Sequence, residues 1–212
     1  MDRGAVALDL IGTVLPYTLH QDGAWCAHAS AVTTADGVVA FLAARGTGKS
    51  TLATACMDRG AALVADDVVV LRQLAQGVSV TPSGLPLRVH VDTARAVGAV
   101  IGGAELWGKV RVAGVLARDD APLAALYVLS PVEATARVAR ERRTTRAAAL
   151  ALLAHGKITA LLGAAQSGDA LARCVDIATR IPVYDLAVPR DLRRLHEVAD
   201  AVLAWHDGGG DA

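Results

Sequence analysis

The chain has 212 residues, enough for one sizeable hydrophobic core, and 53% of its side chains are hydrophobic. Its 21 basic and 21 acidic side chains cancel, which excludes the positive surplus that a general nucleic-acid binder needs. Three cysteines without a CxxC pair suit a reducing compartment, and no apolar run approaches the roughly 20 residues that span a bilayer. We therefore expect a cytoplasmic protein without a membrane or nucleic-acid partner, and the alanine-rich composition is compatible with a homo-oligomer.

The first part of the chain predicts strands followed by one helix. Residues 5–12 alternate weakly, residues 25–33 are compact and apolar, and Ala35-Asp36-Gly37 forms a hairpin turn before an apolar strand. A helix is expected from Lys49 to about Arg59, where Gly60 is suited to end it. The run ALVADDVVVL, residues 62–71, then predicts one buried strand.

The rest of the chain alternates between strands and helices. Short strands are expected over 77–91, a short capped helix from Asp92 to Val97, and a buried strand after Pro122. Further helices are predicted over 144–156, 170–181 and 191–205, with a strand over 182–190. This order favours an α/β fold with an antiparallel portion at its start. We expect a single catalytic domain over 1–206 and a flexible tail over 207–212.

The strongest motif is a phosphate loop that follows an apolar strand and opens a helix. The window AARGTGKS, Ala43 to Ser50, matches G-x-x-x-x-G-K-[ST] except that Ala43 replaces the leading glycine. Glycines let backbone N–H groups turn towards an anion, and the helix amino terminus favours negative charge. Lys49 would reach the β- and γ-phosphates, and the Ser50 hydroxyl would bind Mg²⁺. The predicted nucleotide-binding residues are Arg45, Gly46, Thr47, Gly48, Lys49, Ser50 and Thr51.

Asp66 and Asp67 stand in the next apolar stretch and form a second motif. In a phosphate-loop fold, a carboxylate at the tip of a neighbouring strand holds Mg²⁺, directly or through water. A second carboxylate offers a general base for a hydroxyl proton. We therefore predict a metal site formed by Ser50, Asp66 and Asp67. Aspartates that only cap a turn are the competing interpretation.

His28 lies in an apolar stretch, where a lone histidine is more often a packed core residue than a catalyst. The other histidines show no metal-ligand spacing, and we assign them no role.

With these motifs in place, the sequence resembles the catalytic domain of the HPr kinase/phosphorylase family. In that family a histidine lies 21 residues before the loop lysine, as His28 precedes Lys49 (49 minus 28). The helix after the loop ends in Arg-Gly, as at Arg59-Gly60, and the next strand ends in Asp-Asp. The resemblance covers Trp25 to about Val70. It implies a phosphate-loop α/β fold of the HPr kinase C-terminal domain and phosphoenolpyruvate carboxykinase type, a mixed sheet with flanking helices.

Two later stretches, VTPSGLPLRVHVDTA and PVYDLAVPRDLRRLHEVADAVL, resemble the HPr-kinase-like branch found beside lasso-peptide and other ribosomal-peptide biosynthesis genes. That resemblance implies an ATP-dependent, Mg²⁺-requiring kinase acting on a serine of a precursor peptide or protein. Carried over by position, Lys49 and Ser50 hold phosphate and Mg²⁺, and Asp66 is the base that activates the acceptor hydroxyl. Asp67 supports metal and geometry, and His28 lines the acceptor side as a catalytic-site residue.

The sequence departs from the family where its glutamate-containing signature should be. The nearest match is LPLRV, 85–89, which has no carboxylate, so Asp92 would have to replace the missing metal ligand. Arg88 matches the signature arginine and is equally well explained as a surface residue. The cluster Arg140, Arg142, Arg143 and Arg146 would either contact the transferred phosphate or begin a solvated helix. These departures make HPr a poor candidate for the substrate.

Three other functions stay open at this point. One is a phosphotransferase with a small-molecule acceptor, since a related fold serves phosphoenolpyruvate carboxykinases. A second is a nucleotide-binding NTPase or switch that has no phosphate acceptor. The third is a degenerate scaffold that binds nucleotide or precursor peptide without catalysis.

Overall fold

A computed structural model describes residues 10–106 and 108–208. In this part of the chain a nine-stranded mixed sheet and a three-stranded sheet are accompanied by six α-helices. The strands are β1 (Trp25–Ala27), β2 (Ala29–Thr34), β3 (Gly37–Leu42), β4 (Leu63–Asp66), β5 (Val69–Gln73), β6 (Val78–Thr81), β7 (Arg88–His90), β8 (Ile101–Leu106), β9 (Lys109–Val112), β10 (Ala121–Val132), β11 (Ala139–Arg142) and β12 (Val183–Pro189). The helices are α1 (Leu15–Gln21), α2 (Lys49–Asp58), α3 (Val91–Ala96), α4 (Thr145–Ala154), α5 (Ala164–Arg180) and α6 (Leu195–Ala204).

The large sheet brings the carboxyl ends of several strands to one edge. Its order is β1-β5-β6-β10-β3-β2-β4, with β12 beside β10 and β11 beside β12. Strands β3 and β4 each pair antiparallel with β2, so β3 and β4 run in the same direction. The phosphate loop after β3 and the aspartate that ends β4 therefore lie at the same edge of the sheet.

Two hydrophobic clusters cover the two faces of the sheet, and alternation along β10 shows the division. Leu126 belongs to the cluster with Trp25 and Leu152, whereas the adjacent Tyr127 belongs to the cluster with Phe41. Successive side chains of a strand point to opposite faces, so burial on both sides explains the nearly continuous apolar sequence of β3 and β10. Packing on both faces of the sheet holds in place the strands whose ends carry the candidate site.

The predicted fold class is confirmed: the chain is mixed α/β, with a mixed sheet and flanking helices. The hairpin turn Ala35–Asp36 joins β2 to β3, and α2 begins at Lys49. The Thr144 side chain caps α4 by accepting a hydrogen bond from the Ala147 N–H. None of the helices among the described residues has the length and apolar character that a membrane crossing requires.

Two predictions about strands are wrong. Of the strand expected over 5–12, residues 5–9 lie outside the described part of the chain, and residues 10–12 form a π-helical turn (Leu10–Val14) that leads into α1. Pro16 in the first turn of α1 fits a helix start, because that turn needs no proline N–H. The single strand expected over 62–71 is two strands, since the backbone turns at Asp67, and β4 and β5 occupy separate places in the sheet.

Other differences concern local details. The short helix α3 begins one residue earlier than expected, after His90, without a side-chain cap. Arg140 and Arg142 belong to strand β11 and not to the start of a helix. The hairpin β8–β9 was not predicted, because Gly102 and Gly103 interrupt its alternation. Residues 209–212 of the predicted tail lie outside the described residues.

Candidate active site

The phosphate loop joins the carboxyl end of β3 to the amino terminus of α2. Gly46 and Gly48 have φ angles of 81° and 98°, a left-handed conformation that disfavours any side chain. Gly48 immediately precedes α2, and no side chain caps the helix there. The N–H groups in the first turn of a helix lack intrahelical acceptors, so these donors and the positive end of the helix dipole can bind an anion.

Ala43 occupies the position of the first glycine of the motif without a left-handed backbone. Within residues 10–106 and 108–208, Asp67 is the only non-glycine residue with a positive φ, so the φ of Ala43 is negative. Its side chain is buried in the same cluster as Phe41 and Leu52. The departure from the motif is therefore compatible with the loop.

Lys49 is buried beneath the loop, with 6% of its surface exposed. Its Nζ donates to the carbonyl oxygens of Ala43 and Ala44, at 2.9 and 3.1 Å, and lies 3.1 Å from His28 Nε2. Burial lowers the pKa of Lys49, while the nearby carboxylates of Asp66 and Asp67 act in the opposite direction. The lysine is thus held at the loop by neutral acceptors, and its ammonium charge is not consumed by an ion pair with either aspartate.

Asp66 links the end of β4 to the start of α2. Its Oδ1 accepts hydrogen bonds from Ser30 Oγ at 2.5 Å and from Ser50 Oγ at 2.8 Å. Burial of the carboxyl raises the pKa of Asp66, although the two serine hydroxyls favour the ionised form. Asp66 is therefore a carboxylate with increased basicity beside the phosphate loop.

Asp67 has the opposite electrostatic environment. Asp67 has a φ of 69° at the turn between β4 and β5. Its side chain contacts different residues from those that Asp66 contacts. Oδ1 lies 3.0 Å from His28 Nδ1, and Oδ2 accepts a hydrogen bond from Lys157 Nζ at 2.8 Å. The hydrogen bond from His28, aided by Lys157, holds the pKa of Asp67 well below its usual range. This carboxylate is ionised and committed to two partners.

His28 bridges the loop lysine and Asp67. A lysine ammonium has donors only, so at 3.1 Å from Lys49 Nζ the Nε2 atom acts as the acceptor. The proton of the neutral ring then lies on Nδ1, which points at Asp67. His28 sits between β1 and β2, where its side chain is about one-quarter exposed (26%), and it is not a packed core residue.

Three residues at the site were not predicted. Ser30 lies two positions after His28 and therefore projects from the same side of the chain, a spacing that the sequence does display. His155 and Lys157 follow α4, and the backbone carbonyl of His155 accepts the His28 N–H at 2.7 Å. Burial, aided by the positive charges of Lys49 and Arg143, lowers the pKa of His155. No local sequence pattern links residues 155–157 to the phosphate loop.

The structure brings together Lys49, Ser50, Asp66, Asp67 and His28 as expected, and it places the outer residues of the loop at the surface. Arg45 and Gly46 are exposed, whereas Thr47 and Thr51 are half-buried. These positions put the loop glycines and the amino terminus of α2 within reach of a ligand from solvent.

The basic and acidic candidates outside the loop lie elsewhere. Arg88 pairs with Arg111 across β7 and β9, and the exposed carboxylate of Asp92 lies 3.8 Å from Arg95. The Arg140 guanidinium lies 4.8 Å from the centre of the Tyr184 ring. Of the rest of the arginine cluster, Arg143 pairs with Asp185 at 2.6 Å, and Arg142 and Arg146 are exposed.

Two cations that the sequence did not indicate act on the site, Lys157 and Lys109 of β9. The charge of Lys109 disfavours the protonated form of Lys49 and favours the ionised form of Asp66.

The donor set fits Mg²⁺ only as a partner of bound phosphate. Among the described residues, no group of three or more His, Cys, Asp or Glu side chains could enclose a metal ion. Ser50 and Asp66 nevertheless offer two adjacent oxygens, 2.8 Å apart. Mg²⁺ is commonly held by one or two protein oxygens together with substrate phosphates and water, and this site matches that pattern. The contacts of Asp67 with His28 and Lys157 leave it less free to bind the metal.

Comparisons with known proteins give a likeness to solved structures. No protein-family model and no curated protein sequence matches the chain. Among solved structures, the Hpr(Ser) kinase/phosphatase from Coxiella burnetii aligns with 87% of this chain and 99% of its own, at 16% sequence identity and a TM-score of 0.43.

Proposed function

We propose that this chain is an ATP-dependent kinase that transfers the γ-phosphate of ATP to a serine hydroxyl of a peptide or protein. The observation that carries the proposal is the position of Asp66. It is a carboxylate of raised pKa, and it is joined through Ser50 to the helix that opens the phosphate loop. A base at that point lies where an acceptor hydroxyl would meet the terminal phosphate.

The proposed reaction assigns each group one role. The loop N–H groups and Lys49 bind the β- and γ-phosphates, while Ser50 and Asp66 hold Mg²⁺, which would neutralise phosphate charge when bound. The serine oxygen forms a bond to the γ-phosphorus as the bond to the β,γ-bridging oxygen breaks and ADP departs with its electron pair. Asp66 accepts the serine proton. Catalysis then comes mainly from positioning and charge neutralisation.

The acceptor that we propose is a ribosomal precursor peptide of the lasso type. Support comes from the resemblance of residues 80–94 and 182–203 to the kinases encoded beside such peptides. An acceptor peptide must place a serine hydroxyl next to Asp66 and near His28, the half-buried histidine on the open side of the site.

Intact mass spectrometry of a serine-ended lasso precursor peptide, after incubation with the whole chain, ATP and Mg²⁺, tests the proposal. We expect the peptide to gain the mass of one phosphate, and to gain none with Lys49→Met or when its terminal serine is replaced by alanine. A peptide of unchanged mass in the presence of demonstrated ATP binding would contradict the lasso acceptor. Phosphate gain by a different protein or a small molecule would then identify the acceptor class.

A nucleotide-binding NTPase or scaffold is the second candidate, favoured by the commitment of Asp67 to His28 and Lys157. These contacts would leave one carboxylate for both metal and base. ATP binding with slow hydrolysis that no acceptor accelerates would support this candidate over the kinase.

A further inference from the structure

Lys157 reaches the candidate site from a distant part of the sequence, and its backbone is fixed there. The Lys157 N–H donates to the Cys26 carbonyl at 2.9 Å, and the His155 carbonyl accepts the His28 N–H at 2.7 Å. Between them, Gly156 forms an isolated antiparallel bridge with Ala27. Residues 155–157 therefore extend the sheet edge beside β1 like a short added strand.

The contact between Gly156 and Trp25 shows how closely this segment packs. A Cβ atom on Gly156 would lie 2.4 Å from Trp25 Cζ2 and 2.3 Å from Thr159 Oγ1, both too short for any side chain. Trp25 is 1% exposed and belongs to the hydrophobic core. The segment is thus held against a rigid surface, which fixes the direction in which the Lys157 side chain leaves the backbone.

From that position Lys157 begins a continuous chain of polar contacts to the phosphate loop. Lys157 Nζ donates to Asp67 Oδ2 at 2.8 Å, and His28 Nδ1 lies 3.0 Å from Asp67 Oδ1. On its other side, His28 Nε2 lies 3.1 Å from Lys49 Nζ. The Lys157 side chain is 15% exposed and the Asp67 side chain is 58% exposed, so the contact is open to water on the aspartate side.

We propose that Lys157 is a positioning residue: by holding Asp67 Oδ2, it fixes the carboxylate that accepts from the His28 Nδ1–H, while Lys49 keeps His28 Nε2 as the acceptor. Two partners on one carboxylate fix both of its oxygens, whereas His28 alone would leave the carboxylate free to rotate. His28 Nδ1 also lies 3.2 Å from the Asp67 backbone carbonyl oxygen, a neutral acceptor that binds the N–H less strongly than the fixed carboxylate does. This inference deepens the proposed function and, for its catalytic consequence, rests on it.

The first test reads the His28 Nδ1–H hydrogen bond directly and needs no activity. The ring N–H resonance of His28, identified by its loss in His28→Gln, should show a proton on Nδ1 that exchanges slowly with water in the unmodified chain. Lys157→Met should speed that exchange, while Lys157→Arg should restore the slow rate because arginine retains the charge and donors. The exposed Arg146 of α4 supplies a matched control, Arg146→Met, which removes a cation and leaves the exchange rate unchanged.

The second test measures phosphate transfer. Loss of an outer-shell partner commonly lowers activity roughly 10- to 100-fold. We expect Lys157→Met to lower kcat by about that factor, with rescue by Lys157→Arg. An unchanged exchange rate of the His28 Nδ1–H in folded Lys157→Met would overturn the proposal whatever the activity. If the unmodified chain transfers no phosphate, the proposed function fails, whereas the exchange rate still decides the role of Lys157. Should Lys157→Met fail to fold, Lys157→Gln permits the same comparison.

Discussion

Adjacent aspartates at the site differ because burial decides the pKa of one and polar contacts decide that of the other. Burial raises the pKa of Asp66 against the effect of its two serine hydrogen bonds, whereas the hydrogen bond from His28, aided by Lys157, lowers the pKa of Asp67. A basic carboxylate suits proton transfer, and a fixed anion suits positioning. Asp67 lies at the left-handed turn between β4 and β5, where the two neighbouring carboxylates contact different partners.

The division predicts unequal effects of two isosteric substitutions. Asp66→Asn removes the proposed base, and general-base catalysis contributes roughly 10²- to 10⁴-fold, so kcat should fall by about that range. Asp67→Asn should reduce kcat less, and asparagine tolerates the left-handed backbone at that position. Steady-state transfer kinetics, with ATP affinity measured separately, make the comparison. A kcat unchanged by Asp66→Asn would remove the assigned base.

The pH dependence of kcat/KM for ATP follows from two pKa shifts of the ligand-free protein. Asp66 accepts a proton only when ionised, and its pKa is raised above the ordinary 3.8, so the acid limb should lie above pH 3.8. Lys49 binds phosphate best when protonated, and its pKa is lowered from 10.5, so the alkaline limb should lie below pH 10.5. Asp66→Asn should abolish the acid limb. An acid limb at or below pH 3.8 would contradict the assignment of Asp66.

At the scale of elements, helix α2 lies between two glycines with a left-handed backbone, and only the loop before the helix is the proposed phosphate-binding loop. Gly48 precedes the helix with a φ of 98°, and Gly60 follows it with a φ of 95°. A Cβ atom at either position would meet nothing within 4 Å. Substitution at these glycines therefore acts through backbone strain alone, which makes the two positions a matched pair.

Gly48→Ala and Gly60→Ala should destabilise the fold equally and affect ATP binding differently. A left-handed conformation costs an L-residue about 1–2 kcal/mol, so each variant should lose about that much free energy of unfolding. Only Gly48→Ala should also weaken ATP binding, because its strain falls on the loop that surrounds the phosphates. Chemical denaturation and calorimetric titration with ATP measure the two quantities. Equal ATP affinities in both variants would argue against phosphate binding at this end of α2.

Local signals explain why these elements could be predicted. The glycine turn, the start of α2 at Lys49 and its end near Gly60 are encoded within a few neighbouring residues. The break at Asp67 could not be predicted in the same way, because Val68, Val69 and Val70 favour a continuous strand whatever the backbone does at one aspartate. Strand β11, which contains Arg140, could not be predicted either, because its place is determined by pairing with β12, which is distant in the sequence.

At the scale of the whole molecule, the site combines a local unit with remote contributions. Residues 28–67 supply the loop lysine, both aspartates and the histidine, and their order along the chain made that part of the site predictable. Lys157 reaches Asp67 only because residues 155–157 pair beside β1. Lys109 comes from β9 of the small sheet. Sequence spacing carries no information about such long-range pairing, so these cations could be found only in the folded chain.

The measurement that tests the central claim most directly is the yield of ADP and phosphoserine in one reaction, with and without the serine-ended precursor peptide. A kinase with Asp66 as base should form ADP and phosphoserine in equal amounts. It should form little ADP when the acceptor serine is replaced by alanine, and neither product with Lys49→Met. ADP formation that is the same with and without every serine acceptor tested, and that yields no phosphoserine, would contradict the kinase account and identify the chain as an NTPase.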